Sequence, residues 1–215
     1  AIPAGRDIWY ASRDQAVTSI PGNSDLTFSY VKWLPNLATD LYFIPLSAAI
    51  NLGGAGTLGI NLTAISYGEI ERTNEQGVSL GTFNSYDAAL TLSYGNALTS
   101  KLKGGLSLKL IQSRLSEQGA GAEKGSGDAF GLAFDLGALY EASERVTIGA
   151  AVSNIGPKMS YIDAAQSDPL PANMSVGAAI YPWKSNKSHI LITPEVDLQL
   201  IGLGVGDMIS NATLK

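Results

Sequence analysis

Asn84-Ser85-Tyr86-Asp87-Ala88-Ala89-Leu90-Thr91-Leu92-Ser93-Tyr94-Gly95 alternates strictly, and its more polar side carries almost no charge. Tyr86, Ala88, Leu90, Leu92 and Tyr94 fall on one side of an extended chain; Asp87, Ala89, Thr91 and Ser93 fall on the other. A period of two is the signature of a strand with unlike faces. Two tyrosines near the ends of the apolar row, with only aliphatics between them, match the two edges of a lipid-facing band.

The same reading extends along the chain as about nine strands, at 24–34, 39–52, 57–70, 84–95, 99–111, 128–140, 145–154, 173–182 and 188–201. In 99–111, Leu102, Leu106, Leu108 and Leu110 oppose Lys101, Lys103, Ser107 and Lys109. In 128–140, Phe130, Leu132, Phe134, Leu136, Ala138 and Tyr140 oppose Gly131, Ala133, Asp135 and Gly137. In 188–201, Ile190, Ile192, Val196, Leu198 and Leu200 oppose His189, Thr193, Glu195, Asp197 and Gln199. Segment 39–52 alternates least cleanly, and Pro45 inside it implies an edge, a bulge or a broken ladder.

Composition narrows the class. Charged residues are 15% of the 215, against about 25% in ordinary soluble domains, and the mean hydropathy is +0.11. Yet no apolar run reaches the roughly 18 residues of a spanning helix. Apolar surface spread by alternation is what a membrane barrel requires, because each strand shows one face to lipid. The net charge of −5 argues against a nucleic-acid binder, which needs a basic stripe to meet phosphates. Without cysteine there is no disulfide framework, thiolate zinc site or thiol nucleophile. The sequence starts without Met or a signal peptide, and we expect a mature or partial product of a longer secreted precursor.

The expected connections alternate short and long from 53–56 onward: 71–83, 96–98, 112–127, 141–144, 155–172 and 183–187. Outer-membrane barrels sort their connections this way, with short periplasmic turns and long outer loops. Tyr86 to Tyr94, or Phe130 to Tyr140, spans about 26–33 Å at roughly 3.3 Å per residue. With the usual tilt that projects to about 20–25 Å, the height of such an apolar band. The competing architecture is a soluble β-sandwich acting as an adhesion or structural module, with the apolar face as its interior. Its second face would then meet water, yet that face is rich in Gly, Ala, Ser and Thr with scattered charges.

Motifs for chemistry are few. Gly54-Ala-Gly-Thr-Leu-Gly59 has dinucleotide-fingerprint spacing, but a strand pattern follows it where a helix would be needed. The glycines of 119–127 lack the phosphate-loop spacing around Lys124. His189 is the single histidine and opens a strand, which points to an interfacial or lumen-mouth position. Glu195 and Asp197 could share a proton or a cation, but they read better as lumen-lining groups. No enzyme signature emerges, and no cofactor or metal is expected.

Pieces spread along the chain resemble the PorV/PorQ family of outer-membrane proteins, relatives of the FadL fatty-acid channel and components of the type IX secretion system. They include Val31-Lys-Trp-Leu-Pro35 with Asp40-Leu-Tyr42, Gly56-Thr-Leu-Gly59, Gly68-Glu-Ile70, and Leu80-Gly-Thr-Phe83 with Tyr86-Asp87. Leu92-Ser-Tyr-Gly95, Gly105-Leu-Ser-Leu-Lys109, Asp135-Leu-Gly-Ala-Leu-Tyr140, Val152-Ser-Asn-Ile-Gly-Pro157 and Leu170-Pro-Ala-Asn173 continue the series. The family's Asn-Pro-Ala-Gly element is not found where Ile8-Trp-Tyr10 runs on into Ala11-Ser-Arg-Asp14.

The resemblance implies an all-β, antiparallel transmembrane β-barrel of about 14 strands, of which about nine are represented. Residues 1–23 would form a plug-like or periplasmic-side segment, and 24–215 the barrel strands. It further implies a non-enzymatic component of protein secretion. That component would sit in outer-membrane lipid beside the translocon pore subunit, accept the C-terminal signal domains of secreted cargo, and deliver them to a surface attachment complex. The alternative it carries is a channel for hydrophobic small molecules. Asp87, Lys101, Lys103, Lys109, Asp135, Glu195 and Asp197 are the lumen-facing polar candidates. Tyr86, Tyr94, Phe130, Tyr140, Tyr181 and Trp183 are the lipid-interface aromatics.

Overall fold

The alternating segments become one antiparallel sheet in the computed structural model, which describes residues 24–32, 40–74, 76–116, 127–161, 167–185 and 188–200. The expected N-terminal segment 1–23 and most of loop 112–127 lie outside the described residues. The strands are β1 (Ser24–Phe28), β2 (Val31–Lys32), β3 (Leu41–Asn51), β4 (Thr57–Thr73), β5 (Ser79–Ala97), β6 (Leu102–Arg114), β7 (Asp128–Ser143), β8 (Val146–Ile155), β9 (Met159–Ser160), β10 (Ser167–Asp168), β11 (Asn173–Lys184), β12 (His189–Ile192) and β13 (Glu195–Gln199). Eleven of them form a single meander in the order β1-β3-β4-β5-β6-β7-β8-β11-β12, with β2 beside β3 and β13 beside β11. β9 and β10 make a separate ribbon. There is no α-helix among the described residues, and the two edges of the sheet do not pair with each other there.

The register sorts the side chains into two unlike faces. Ile50, Leu58, Tyr94, Leu106, Leu136, Val152, Met174 and Leu198 are cross-strand partners in succession, forming one row across eight strands. One residue along, the row reads Gly59, Ser93, Ser107 and Asp135. Except for half-buried Val152 and Gly59, the apolar row is exposed and the polar row is buried: Leu106 is 52% exposed beside Ser107 at 1%, and Leu136 is 56% exposed beside Asp135 at 1%. A soluble sandwich would reverse these values, since apolar burial drives its folding. Here the hydrogen-bonding side chains close the interior, and the apolar side chains require a non-aqueous surrounding.

Two prolines explain two departures from the expected strands. Pro45 occupies a strand that is continuously paired with β4 over its whole length. Its carbonyl accepts the Ser29 N–H at 3.0 Å, so its missing N–H faces the same neighbour. That neighbour is interrupted there, between Phe28 and Val31, giving β1 and β2 instead of one strand. Pro194 likewise splits 188–201 into β12 and β13, both paired with β11.

The connection expected at 71–83 is corrected. The β4–β5 ladder continues to Thr73 and Ser79 and closes in a tight turn, where Asn74 donates to the Val78 carbonyl at 3.0 Å. Register shifts at both ends of the short run Glu69–Glu71 interrupt the alternation that marks a strand in sequence. β3 begins opposite Tyr67 and β6 ends opposite Tyr86. The hairpin therefore rises six residues past Tyr67, about 20 Å at 3.3 Å per residue. A bulge between Ser66 and Glu69 marks the point of departure. Gly68 there has φ +80°, and a side chain on it would collide with the Asp40 carboxylate, which accepts the Glu69 N–H at 2.6 Å.

Candidate functional site

The buried face of the sheet holds one dense polar cluster. Asp135 of β7 accepts the Lys109 ammonium at 3.2 Å and the Asn154 backbone N–H at 2.8 Å through Oδ1, and its Oδ2 lies 3.2 Å from the same ammonium. Lys109 also donates to Asn154 Oδ1 at 2.7 Å. This arrangement follows from a register slip. Phe134 pairs with Ile155 but Leu136 with Val152, so Asp135 faces the two residues Ser153 and Asn154. Asn154 takes up the extra length with φ +58°, a conformation asparagine adopts more readily than most residues. The Asp135 carboxylate satisfies the N–H that the bulge removes from the ladder.

From that bulge the chain turns inward. Gly156 passes so close over β7 that a Cβ would stand 2.1 Å from the Leu132 carbonyl oxygen. Met159 then sits on Gly131, where a Cβ would meet its sulfur at 2.7 Å. Ala129, Ala133, Met159 and Leu170 form a buried apolar cluster, with Ile111 and Tyr161 packed against it. Polar ties hold both ends: Asn154 Nδ2 donates to the Pro171 carbonyl at 3.0 Å, Ser153 Oγ to Asn173 Oδ1 at 2.7 Å, and Tyr161 OH to Ser113 Oγ at 3.1 Å. Segment 155–172, expected as an outer loop, thus has its described parts folded onto the polar face.

Between this segment and β4–β6 lies a cavity of about 620 Å³. Phe43, Ile65, Ile111, Met159 and Leu170 supply apolar lining, and Tyr67, Asp87 and Lys109 the polar groups. Tyr67 OH donates to Asp87 Oδ2 at 2.7 Å. Asp87 Oδ1 is buried and has no hydrogen-bond partner among the described residues.

The expected polar residues separate into groups. Lys109 and Asp135 meet in the cluster, and Asp87 lines the cavity beside them. Lys103 pairs with Glu141 at 2.8 Å near the short-turn end. Asp197 is the register partner of Ser175 and accepts its hydroxyl; Glu195 lies opposite Gly177, so both acids share the polar face but stand exposed on an edge strand. Lys101 is a correction: it lies in the exposed turn before β6, where its carbonyl accepts the Glu141 N–H at 2.8 Å. Strand pairing starts only at Leu102, because Thr99 Oγ1 caps the turn through the N–H groups of Lys101 and Leu102.

Of the aromatics, Tyr86 and Phe130 lie toward the long-connection end of their strands, and Tyr94, Tyr140 and Trp183 toward the short-turn end. Tyr86 is half-buried under the Arg114 guanidinium, 5.7 Å from its ring centre. Tyr94 donates to the Ala55 carbonyl at 2.7 Å, bracing the turn that Gly56 permits with φ +99°. Tyr181 is a second correction. A bulge between Ile180 and Trp183 shifts the alternation, so Trp183 joins the outward row with Ile190 while Tyr181 stacks edge-on against His189, 5.6 Å away, beneath Lys184. Asn154, Tyr67 and Glu141 were not among the expected site residues. The sequence signals for Asn154 are its place before Ile155-Gly156-Pro157, a turn-forming run at a strand end, and its position within the piece 152–157 that carries the family resemblance.

No cluster of three or more His, Cys, Asp or Glu able to hold a metal occurs among the described residues. No helix among them is long and apolar enough to cross a membrane, which has no bearing on strands. No curated protein matches the chain. The family model described as Type IX secretion system protein PorV matches residues 9–203, a span that takes in every described strand. With an antiparallel sheet whose apolar face is exposed, that match identifies the chain as a member of the PorV family of type IX secretion system proteins, a family of β-barrels.

Proposed function

We propose that this chain is a non-enzymatic outer-membrane scaffold of type IX secretion. It associates with the translocon pore, receives secreted cargo through the cargo's C-terminal signal domain and passes it to the surface attachment complex. The observation that carries the reading is the family match over 9–203, joined to a polarity inversion that suits a wall standing in lipid. The β4–β5 hairpin supports a docking role, since it stands clear of its neighbours at the long-connection end of the sheet. The inward-folded residues 156–161 and 170–172 support a closed wall better than an open pore.

The test is affinity capture of the tagged protein from detergent-solubilised outer membranes. Recovery of a large translocon subunit and of cargo bearing its signal domain is the expected result; recovery of neither removes the secretion role. A second reading, a channel for hydrophobic solutes, draws on the apolar part of the cavity lining. Uptake of labelled long-chain fatty acid that is unchanged on gene deletion removes it.

A further inference from the structure

The cavity beneath the inward-folded segment has a chemistry that cargo handling does not use. Its volume of about 620 Å³ falls within the roughly 300–1,000 Å³ of small-molecule sites. Its lining follows the pattern of such sites, apolar with a few convergent polar groups. Phe43, Ile65, Ile111, Met159 and Leu170 offer a surface for an apolar body. At the polar end, Asp87 keeps one buried carboxylate oxygen without a donor while Tyr67 occupies the other. A buried acceptor left unpaired is costly and calls for a partner. Lys109, the cation in the lining, is already engaged by Asp135 and Asn154.

We propose that this cavity binds a small amphiphile with a cationic amine head on Asp87 and an alkyl body between Ile65, Ile111, Met159 and Leu170. Such a ligand lies between the wall and Met159, Tyr161 and Leu170 and holds the two together. A carboxylate head is disfavoured, because it would meet the Asp87 charge with no free cation beside it among the lining groups. The site is separate from cargo capture, so its failure leaves the secretion role standing.

The experiment titrates dodecylamine, dodecanol and dodecanoate into the purified protein in a neutral maltoside detergent, with heat of binding as the readout. Saturable one-to-one binding of dodecylamine is expected, with dodecanoate weaker by about tenfold or more. Asp87→Asn should bring dodecylamine and dodecanol to similar affinities. Ala89→Met, which adds volume to the cavity wall without touching the carboxylate, should weaken all alkyl chains. If Asp87→Asn does not fold, the amine-against-carboxylate contrast in the unsubstituted protein and the Ala89→Met result decide the matter. Equal binding of dodecanoate, non-saturating uptake, or a dodecylamine affinity untouched by both substitutions overturns the proposal.

Discussion

The wall from β3 to β8 and the inward-folded residues 156–161 and 170–172 obey opposite rules. In the wall, cross-strand rows place Leu58, Leu106 and Leu136 outward and Ser93, Ser107 and Asp135 inward, so the apolar groups need a surrounding that the protein does not supply. The segment behaves as a piece of soluble protein: Met159 and Leu170 are buried on Ala129 and Ala133, with their own chain as solvent. The two regions meet at Lys109, Asp135 and Asn154, where a charge pair stands in for the apolar core. Wall stability should therefore depend on lipid or detergent, and segment docking on ordinary packing.

The largest effect is expected at the junction. Asp135→Ala strands the Lys109 ammonium in a buried site and removes the acceptor of the Asn154 N–H; we expect a loss of about 3–5 kcal/mol. Equilibrium unfolding by denaturant in lipid vesicles measures it, and Lys109→Met with Asp135→Leu should recover part of the loss. A loss under 1 kcal/mol for the single change would mean that the cluster does not join the regions. Leu136→Arg, on the lipid-facing row at mid-height, is expected to cost about 2–4 kcal/mol in the same assay. Gly137→Arg, on the other face, should cost less, and equal costs would dissolve the distinction between faces.

Smaller effects separate the segment from the wall. Gly156→Ala forces a Cβ onto the Leu132 carbonyl, with an expected cost of about 1–3 kcal/mol. That cost should appear as faster proteolysis within 156–172 while strand content by circular dichroism holds. Loss of both together would show that segment and wall fold as one unit. Lys103→Ala removes an ion pair with a half-exposed Glu141 and should change stability by no more than about 1 kcal/mol.

How much of this was legible in the sequence follows from the same contrast. The wall strands could be read because each has two unlike faces, and 128–140 shows it most plainly, every even residue from Phe130 to Tyr140 apolar and every odd one from Gly131 to Gly137 small or charged. The β4–β5 hairpin beyond Tyr67 escaped, because bulges between Ser66 and Glu69 and between Glu71 and Thr73 break the alternation and leave only the pair Ile70 and Phe83 as an apolar face between them. The inward fold escaped for another reason: Met159 and Leu170 are isolated apolar residues in a stretch that otherwise reads as loop. Lys109 and Asp135 were both assigned to the polar side, but their contact is diagonal, since Lys109 faces Ala133 in the ladder. Only the strand register could bring them together.

The cysteine-free sequence permits the most direct test of which face meets lipid. Single cysteines at Phe130, Leu132, Phe134, Leu136 and Tyr140, and in turn at Ala129, Ala133 and Leu139, would carry a spin label in protein reconstituted into vesicles. Labels in the first set should relax with dissolved oxygen and resist a water-soluble nickel complex, while labels in the second set should not show this preference. Nickel access along the first set, equal to that of an exposed aqueous turn such as Lys101, would contradict it.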